Sequence, residues 1–234
     1  MKGVDRSNRH FVACISILLC ACNDKPRAPA PVTPSGATGT IIGTVRTGAA
    51  PPGRVALPES VHKACGAELD DTTVIVSESG ALANAVVWIE DAPATAAAAP
   101  PPLLDQVKCA YVPPVLVGHT GGKLKVKNSD PLMHNVRAGD TFNVGMPLPQ
   151  TIERALPASA GPLKIVCDVH PWMRADVMVL PHDQWAITDS SGRFTLKAVS
   201  AGRRPLHVWH PTLGEKTVSV EVPPGGEAKV AAEL

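Results

Sequence analysis

Aromatic residues are scarce: four Trp, three Phe and one Tyr in 234 residues. Large rings therefore cannot carry the core, and Val, Ile, Leu and Ala must do most of the packing; a hydrophobic content of 44% supplies enough of them. Surplus charge is lacking too, with 22 Lys and Arg against 21 Asp and Glu. Phosphate binding needs a concentrated basic surface, so no nucleic-acid partner is expected. The apolar run Phe11–Ala21 has eleven residues, too few to cross a bilayer as a helix. No stretch holds a helical period for three turns, and 24 Pro and 19 Gly leave little room for long helices. No Ser-His-Asp order, Gly-rich phosphate loop or carboxylate pair stands in a context suited to hydrolysis or phosphoryl transfer. No catalytic residue is expected, and the chain reads as a non-enzyme.

What is present is a series of short β-branched or alternating runs: 40–45, 85–89, 124–127, 163–167, 193–196, 206–209 and 218–222. Gly, Pro, Asn and Asp separate them at short intervals, the pattern of an all-β sandwich or barrel. Composition divides the chain further. Lys2, Arg6 and Arg9 precede the apolar run, which suits the core of a signal peptide. Residues 22–39 are rich in Pro, Ala, Ser, Thr and Gly and read as a tether. Ala92–Pro102 reads as a low-complexity surface loop. Lys123, Lys125 and Lys127 alternate along one strand face, as a solvated edge or as a steering surface for an acidic partner.

Chemistry concentrates in one loop. Cys167-Asp168-Val169-His170-Pro171-Trp172-Met173 places a thiol, an imidazole and a thioether within seven residues. A second imidazole, His134, lies 33 residues upstream of Cys167 in the run Asn128-Ser129-Asp130-Pro131-Leu132-Met133-His134-Asn135. Soft sulfur, two imidazoles and a weak axial thioether form the ligand set of a mononuclear electron-transfer copper site. Zinc is a poorer match, because thioether is a poor zinc ligand and a second Cys is more usual. Under the two-residue alternation of a strand, Leu163, Ile165 and Cys167 share one face, so the thiol points inward.

The six cysteines can be accounted for in the same terms. Cys14 and Cys20 leave with a signal peptide ending at residue 21. In an exported chain Cys65 and Cys109 can pair, leaving Cys167 as a free thiol; pairing of Cys167 with Cys65 or Cys109 would destroy the metal site. Removing residues 1–21 takes away three basic residues and Asp5, so the remainder carries 19 Lys and Arg against 20 Asp and Glu.

Three resemblances add to this reading. Leu19-Cys20-Ala21-Cys22 resembles a bacterial lipobox, which implies cleavage before Cys22 and acylation of it. The residue that follows is Asn23, and by analogy with enterobacterial sorting this points to the outer membrane facing the periplasm, or to the cell surface. Residues 105–181, with "YVPPVLVGHTGGKLKVKNSDPLMHNV" and "LKIVCDVHPWM", resemble a cupredoxin. The Cys-x₂-His-x₂-Met spacing is that of the short-loop amicyanins rather than of plastocyanin. "ITDSSGRFTLKAVSAGRRPLHVWH" resembles the carboxypeptidase regulatory-like (transthyretin-like) β-sandwich. It covers 182–234, with 40–104 either as its first part or as the source of a first cupredoxin strand through Val86–Ile89. The whole chain is similar to a methylamine-utilisation-like group of exported bacterial proteins.

The cupredoxin resemblance implies a Greek-key β-sandwich holding one type 1 copper ion. His134, Cys167 and His170 would be equatorial ligands and Met173 the axial one. Asn135 would donate its backbone N–H to the Cys sulfur and tie the two ligand loops together. Val169 stands where the look-alikes carry Pro, which implies a second N–H···S bond at that position. Leu132, Pro171 and Trp172 would form a docking patch around the exposed edge of His170. The implied activity is one-electron transfer with a redox protein partner not identifiable from sequence, by a lipid-anchored chain expected to act as a monomer. Two other readings stay open: copper storage or delivery through the same ligands, and a structural lipoprotein with a vestigial site.

Overall fold

The computed structural model describes residues 36–96 and 100–234. The signal segment, Cys22, Asn23 and most of the tether lie outside the described residues, as do 97–99 of the Ala/Pro-rich loop. Among the described residues the fold is all-β, with one helix of four residues, α1 (His62–Cys65), after a 3-10 turn at Glu59–Val61.

The strands begin with β1 (Thr38–Arg46), β2 (Arg54–Ala56), β3 (Glu68–Asp70), β4 (Val86–Ile89) and β5 (Leu103–Val107). Next are β6 (Ala110–Val112), β7 (Val115–His119), β8 (Lys123–Asn128), β9 (His134–Ala138) and β10 (Phe142–Met146). Then follow β11 (Gln150–Ala155), β12 (Gly161–Val166), β13 (Arg174–Leu180) and β14 (Trp185–Ile187). The last four are β15 (Arg193–Ser200), β16 (Gly202–His210), β17 (Gly214–Val222) and β18 (Glu227–Glu233).

These strands build two sandwiches. One joins the sheets β15-β1-β18 and β14-β4-β16-β17, so the beginning and end of the described chain share a core of Ile41, Val45, Leu82, Val87, Leu206 and Val208. The other joins β10-β9-β12-β13-β7 to β11-β8-β5-β6 around Leu104, Leu124, Val126, Val136, Ile165 and Val177. Alternation is clean on β8, where Leu124, Val126 and Asn128 are buried and Lys123, Lys125 and Lys127 are exposed. Strand β7 departs from alternation, with Val115 to Gly118 all buried. Its second face and that of β13 pack on the first sandwich, where Val115, Val117, Met178 and Leu180 meet Val86 and Trp209. A strand covered on both sides reads as a continuous apolar run.

Two sequence expectations change here. The stretch 40–104 does not belong to one sandwich: β1 and β4 pair with C-terminal strands, whereas Leu57, Val61 and Cys65 join the core of the central sandwich. The excursion from Arg54 to Asp70 has an apolar side, completed by Val55 and Leu69, and it buries that side on the central sandwich. The lysine row also sits differently, because β8 lies between β11 and β5 rather than at an edge. Lys123 pairs with Glu153 at 2.9 Å and Lys127 with Asp105 at 3.3 Å, so much of the row is neutralised by its neighbours.

The turn Asp189–Gly192 pins β15 to β1. Asp189 Oδ1 accepts from Ser191 N and Arg193 N, and Gly192 N donates to Asp189 O at 2.9 Å. Gly192 has φ +70°, and a Cβ there would lie 2.4 Å from the carbonyl oxygen of Val45. Gly192→Ala therefore combines a left-handed penalty with a backbone collision. We expect it to destabilise the chain by more than about 1 kcal/mol, measured as a lower urea midpoint.

Two histidines of β16 give opposite pH dependence. His207 is stacked on Trp88 and paired with Glu90 and Glu215. Burial opposes its charge, but the two carboxylates outweigh burial and raise its pKa. Its stabilisation is therefore complete below the unfolded value and is lost as pH rises through the raised folded value. His210 is buried, and desolvation pushes it from 6.5 down to about 4. Over that window the unfolded chain binds the proton more readily, so stability falls as pH drops from 6.5 toward 4. His210→Gln should lose less thermal stability than the parent across that interval, as read by the melting temperature at each pH.

Candidate metal centre

Topology brings the candidate ligands together. In the central sandwich β9, β12 and β13 are antiparallel neighbours. The start of β9, the end of β12 and the start of β13 therefore lie at one end of the sheet. His134 opens β9, Cys167 follows β12 and Met173 immediately precedes β13. The loop between β12 and β13 is closed on itself by Cys167 N to Met173 O at 3.3 Å and Met173 N to His170 O at 2.9 Å.

All four side chains are buried: His134 is 0% exposed, Cys167 2%, His170 6% and Met173 1%. Ligand atoms of His134, Cys167 and His170 lie within 4.8 Å of one another. His134 Nδ1 is 2.8 Å from His170 Nδ1, and His170 Nδ1 is 4.0 Å from Cys167 Sγ. The opposite nitrogen, His134 Nε2, is 2.9 Å from the carboxylate of buried Asp130. A proton held on Nε2 by that carboxylate leaves the Nδ1 lone pair facing Cys167 and His170, the tautomer a metal requires.

The thiol is prepared as well. Asn135 N and His170 N each donate to Cys167 Sγ at 3.4 Å. Burial pushes the thiol pKa up, but the His134 imidazole and the amides of Asn135, His170 and, least, Val169 outweigh it and bring the pKa down. The second amide within 3.4 Å of the sulfur is that of His170, and it acts beside the Val169 amide expected from the sequence, which lowers the thiol pKa less. The Val169 amide makes only a minor contribution, because the turn aims the next N–H at Sγ. Burial and the adjacent His134 lower the pKa of His170, favouring the neutral imidazole that binds a metal. His134 is raised: burial opposes its charge, but the Cys167 sulfur and the Asp130 carboxylate outweigh burial.

Asn135 links the two ligand segments. Its Nδ2 donates to Asn143 Oδ1 at 2.7 Å and to Asp168 Oδ2 at 3.0 Å, and its Oδ1 accepts from Asp168 N. Arg137 holds Asp168 from the other side at 2.8 Å, and this pairing chiefly keeps the Asp168 carboxyl below its usual range. Buried Tyr111 donates to Asn135 O at 2.6 Å, bringing β6 against the same strand.

The remaining expected residues fall as follows. Leu132 is half-buried against the core, while Pro171 and Val169 are exposed. Trp172 is half-buried with its ring 5.1 Å from His170, and its Nε1–H is committed to Cys109 O at 3.1 Å. It therefore lies over the site beside His170 while staying partly exposed next to Pro171. Cys65 and Cys109 are joined by a disulfide, and Cys167 is free and buried. Cys22 lies outside the described residues.

Sequence reasoning missed Asp130 and Tyr111. In the run Asn-Ser-Asp-Pro an aspartate reads as an ordinary turn residue; its four-residue offset from His134 was the available signal. Tyr111 opens the aromatic-x-Pro run quoted above, but its role was not read from it, because its partners lie 24 and 55 residues away. Asn135→Ala would strand Asp168 N and loosen both loops. We expect a loss of about 1–3 kcal/mol in the metal-free chain, measured by urea unfolding.

No protein-family model matches the chain, and no curated protein matches it. Among solved structures, it is similar to a reduced Cu(I) form of an amicyanin variant at 24% identity and TM-score 0.31, over 40% of this chain and 98% of that one. A purple cupredoxin from Nitrosopumilus maritimus aligns at 21% identity and TM-score 0.31, over 34% of this chain and 99% of that one. A Cu-containing nitrite reductase from Thermus scotoductus SA-01 aligns at 18% identity and TM-score 0.32. That alignment covers 38% of this chain and only 25% of the reductase.

Proposed function

We propose that this chain is a mononuclear copper protein that carries single electrons, exported and held at a bacterial membrane by lipid on Cys22. The observation that carries the reading is the buried, convergent set of His134 Nδ1, Cys167 Sγ and His170 Nδ1, with Met173 buried beside it. The donor set fits copper: one sulfur, two imidazoles and a thioether suit an ion that alternates between soft and harder ligand preference. Bound there, copper would supply a one-electron couple.

Everything else is the work of the protein. Two amides stabilise charge on Sγ, Asp130 fixes the His134 tautomer, and Asn135 with Asp168 locks the loops. A rigid frame keeps the ligands nearly in place between oxidation states, which favours fast transfer. With four protein ligands no position remains for a substrate, consistent with a carrier rather than an enzyme. Burial of all four ligands also favours retention of the ion over ready delivery, and the intact set argues against a vestigial site.

Adding Cu(II) to the metal-free full chain should bind one ion and produce an intense visible sulfur-to-copper band. Cys167→Ser should abolish the band, and Met173→Ala should preserve it with altered energy. A colourless complex with the parent chain would defeat the proposal.

A further inference from the structure

Strands β5 and β6 are joined by a two-residue turn, Lys108-Cys109, in which Val107 pairs with Ala110. Lys108 has φ +50° and Cys109 φ +59°, both left-handed. This is the primed hairpin turn that Asn-Gly or Gly-Gly normally supplies, and for non-Gly residues it is costly. Something must hold it, and two things do. Asp130 takes both turn amides, Lys108 N on Oδ1 at 2.6 Å and Cys109 N on Oδ2 at 2.8 Å. The Cys109 side chain is bonded to Cys65 at the end of α1.

The main chain of Cys109 reaches both imidazoles of the metal centre. Its N–H binds the Asp130 oxygen that lies 2.9 Å from His134 Nε2. Its C=O accepts the Trp172 Nε1–H, and the Trp172 ring lies against His170. Cys109 Sγ itself is within 4.8 Å of ligand atoms of Asp130 and His134. Packing does not fill this corner: a cleft of about 100 Å³ is lined by Val55, Leu69, Cys109, Tyr111, Trp172 and Met173. Where packing leaves space, a covalent tie is a stronger constraint on the turn than contact alone.

We propose that the Cys65–Cys109 disulfide is a positioning bond for the metal centre, holding His134 through Asp130 and His170 through Trp172. The proposal rests on the copper reading of the same site. Opening the bond takes a dithiol reductant: its two sulfurs pair, two electrons and two protons pass to Cys65 and Cys109, and the S–S bond becomes two thiols. The freed turn then relaxes from its left-handed conformation, and both imidazoles lose a fixed support. Neither Cys is among the four proposed ligands, so the coupling would run through Asp130 and Trp172.

The test compares the full-length parent chain with Cys65→Ser/Cys109→Ser and with Trp172→Phe, which keeps the disulfide and a ring against His170. In the metal-free state, hydrogen exchange at the Trp172 Nε1–H should accelerate by about five- to tenfold in the double variant, as expected for loss of one hydrogen bond. In the copper-loaded state both variants should shift the sulfur-to-copper band and the reduction potential relative to the parent. Unchanged exchange together with unchanged band and potential in the double variant overturns the proposal. If the double variant does not fold, Trp172→Phe decides: a shifted potential supports the link from Cys109 O to His170, and an unshifted one overturns it. A parent chain that gives no band with Cu(II) defeats the copper reading instead, while the metal-free exchange still decides whether the disulfide positions Trp172.

Discussion

One unbonded sulfur organises this molecule. Among the described residues Cys65 and Cys109 are bonded to each other, and Cys167 alone keeps a thiol, buried where water does not reach it. A buried thiol resists ionisation unless donors surround it. Here two amides and an imidazole converge on it, and each comes from a segment that also carries or neighbours a second candidate ligand. The sulfur thus ties the start of β9 to the loop between β12 and β13.

The supports around that sulfur form a closed set of hydrogen bonds. Asn135 gives its amide to Sγ and its side chain to Asp168, and Asp168 is held by Arg137. Asp130 gathers the turn at Lys108-Cys109 and faces His134. Such a network ties two loops far apart in sequence, because moving buried Asn135 or Asp130 leaves buried polar groups unpaired. The second sandwich adds a different constraint. It covers the outer face of β7 and β13, so one side of the sheet that carries the candidate ligands is packed on both faces.

Much of this was legible in the sequence, for identifiable reasons. Period-two alternation revealed β8 and the inward face at Leu163, Ile165 and Cys167, since half-buried strands leave that imprint. The Asp189–Gly192 turn carried its own signature, because Asp bonding its neighbours' amides and Gly in a left-handed conformation are local chemistry. The soft-ligand loop was visible because its members are within seven residues. What sequence did not show depends on tertiary placement. The swing of Arg54–Asp70 onto the central sandwich follows from an apolar side too short for a period to be read. Asp130 and Tyr111 serve the site through partners that only the fold brings near, and the difference between the Val169 and His170 amides is a matter of turn geometry.

The proposal depends on the four candidate ligands holding one ion through both oxidation states. Voltammetry of the copper-loaded full chain tests this directly, with metal content measured before and after repeated cycling. A reversible one-electron wave with copper retained, and no such wave in Cys167→Ser, is the predicted result. Release of copper on reduction, or a wave that survives without Cys167, would contradict it.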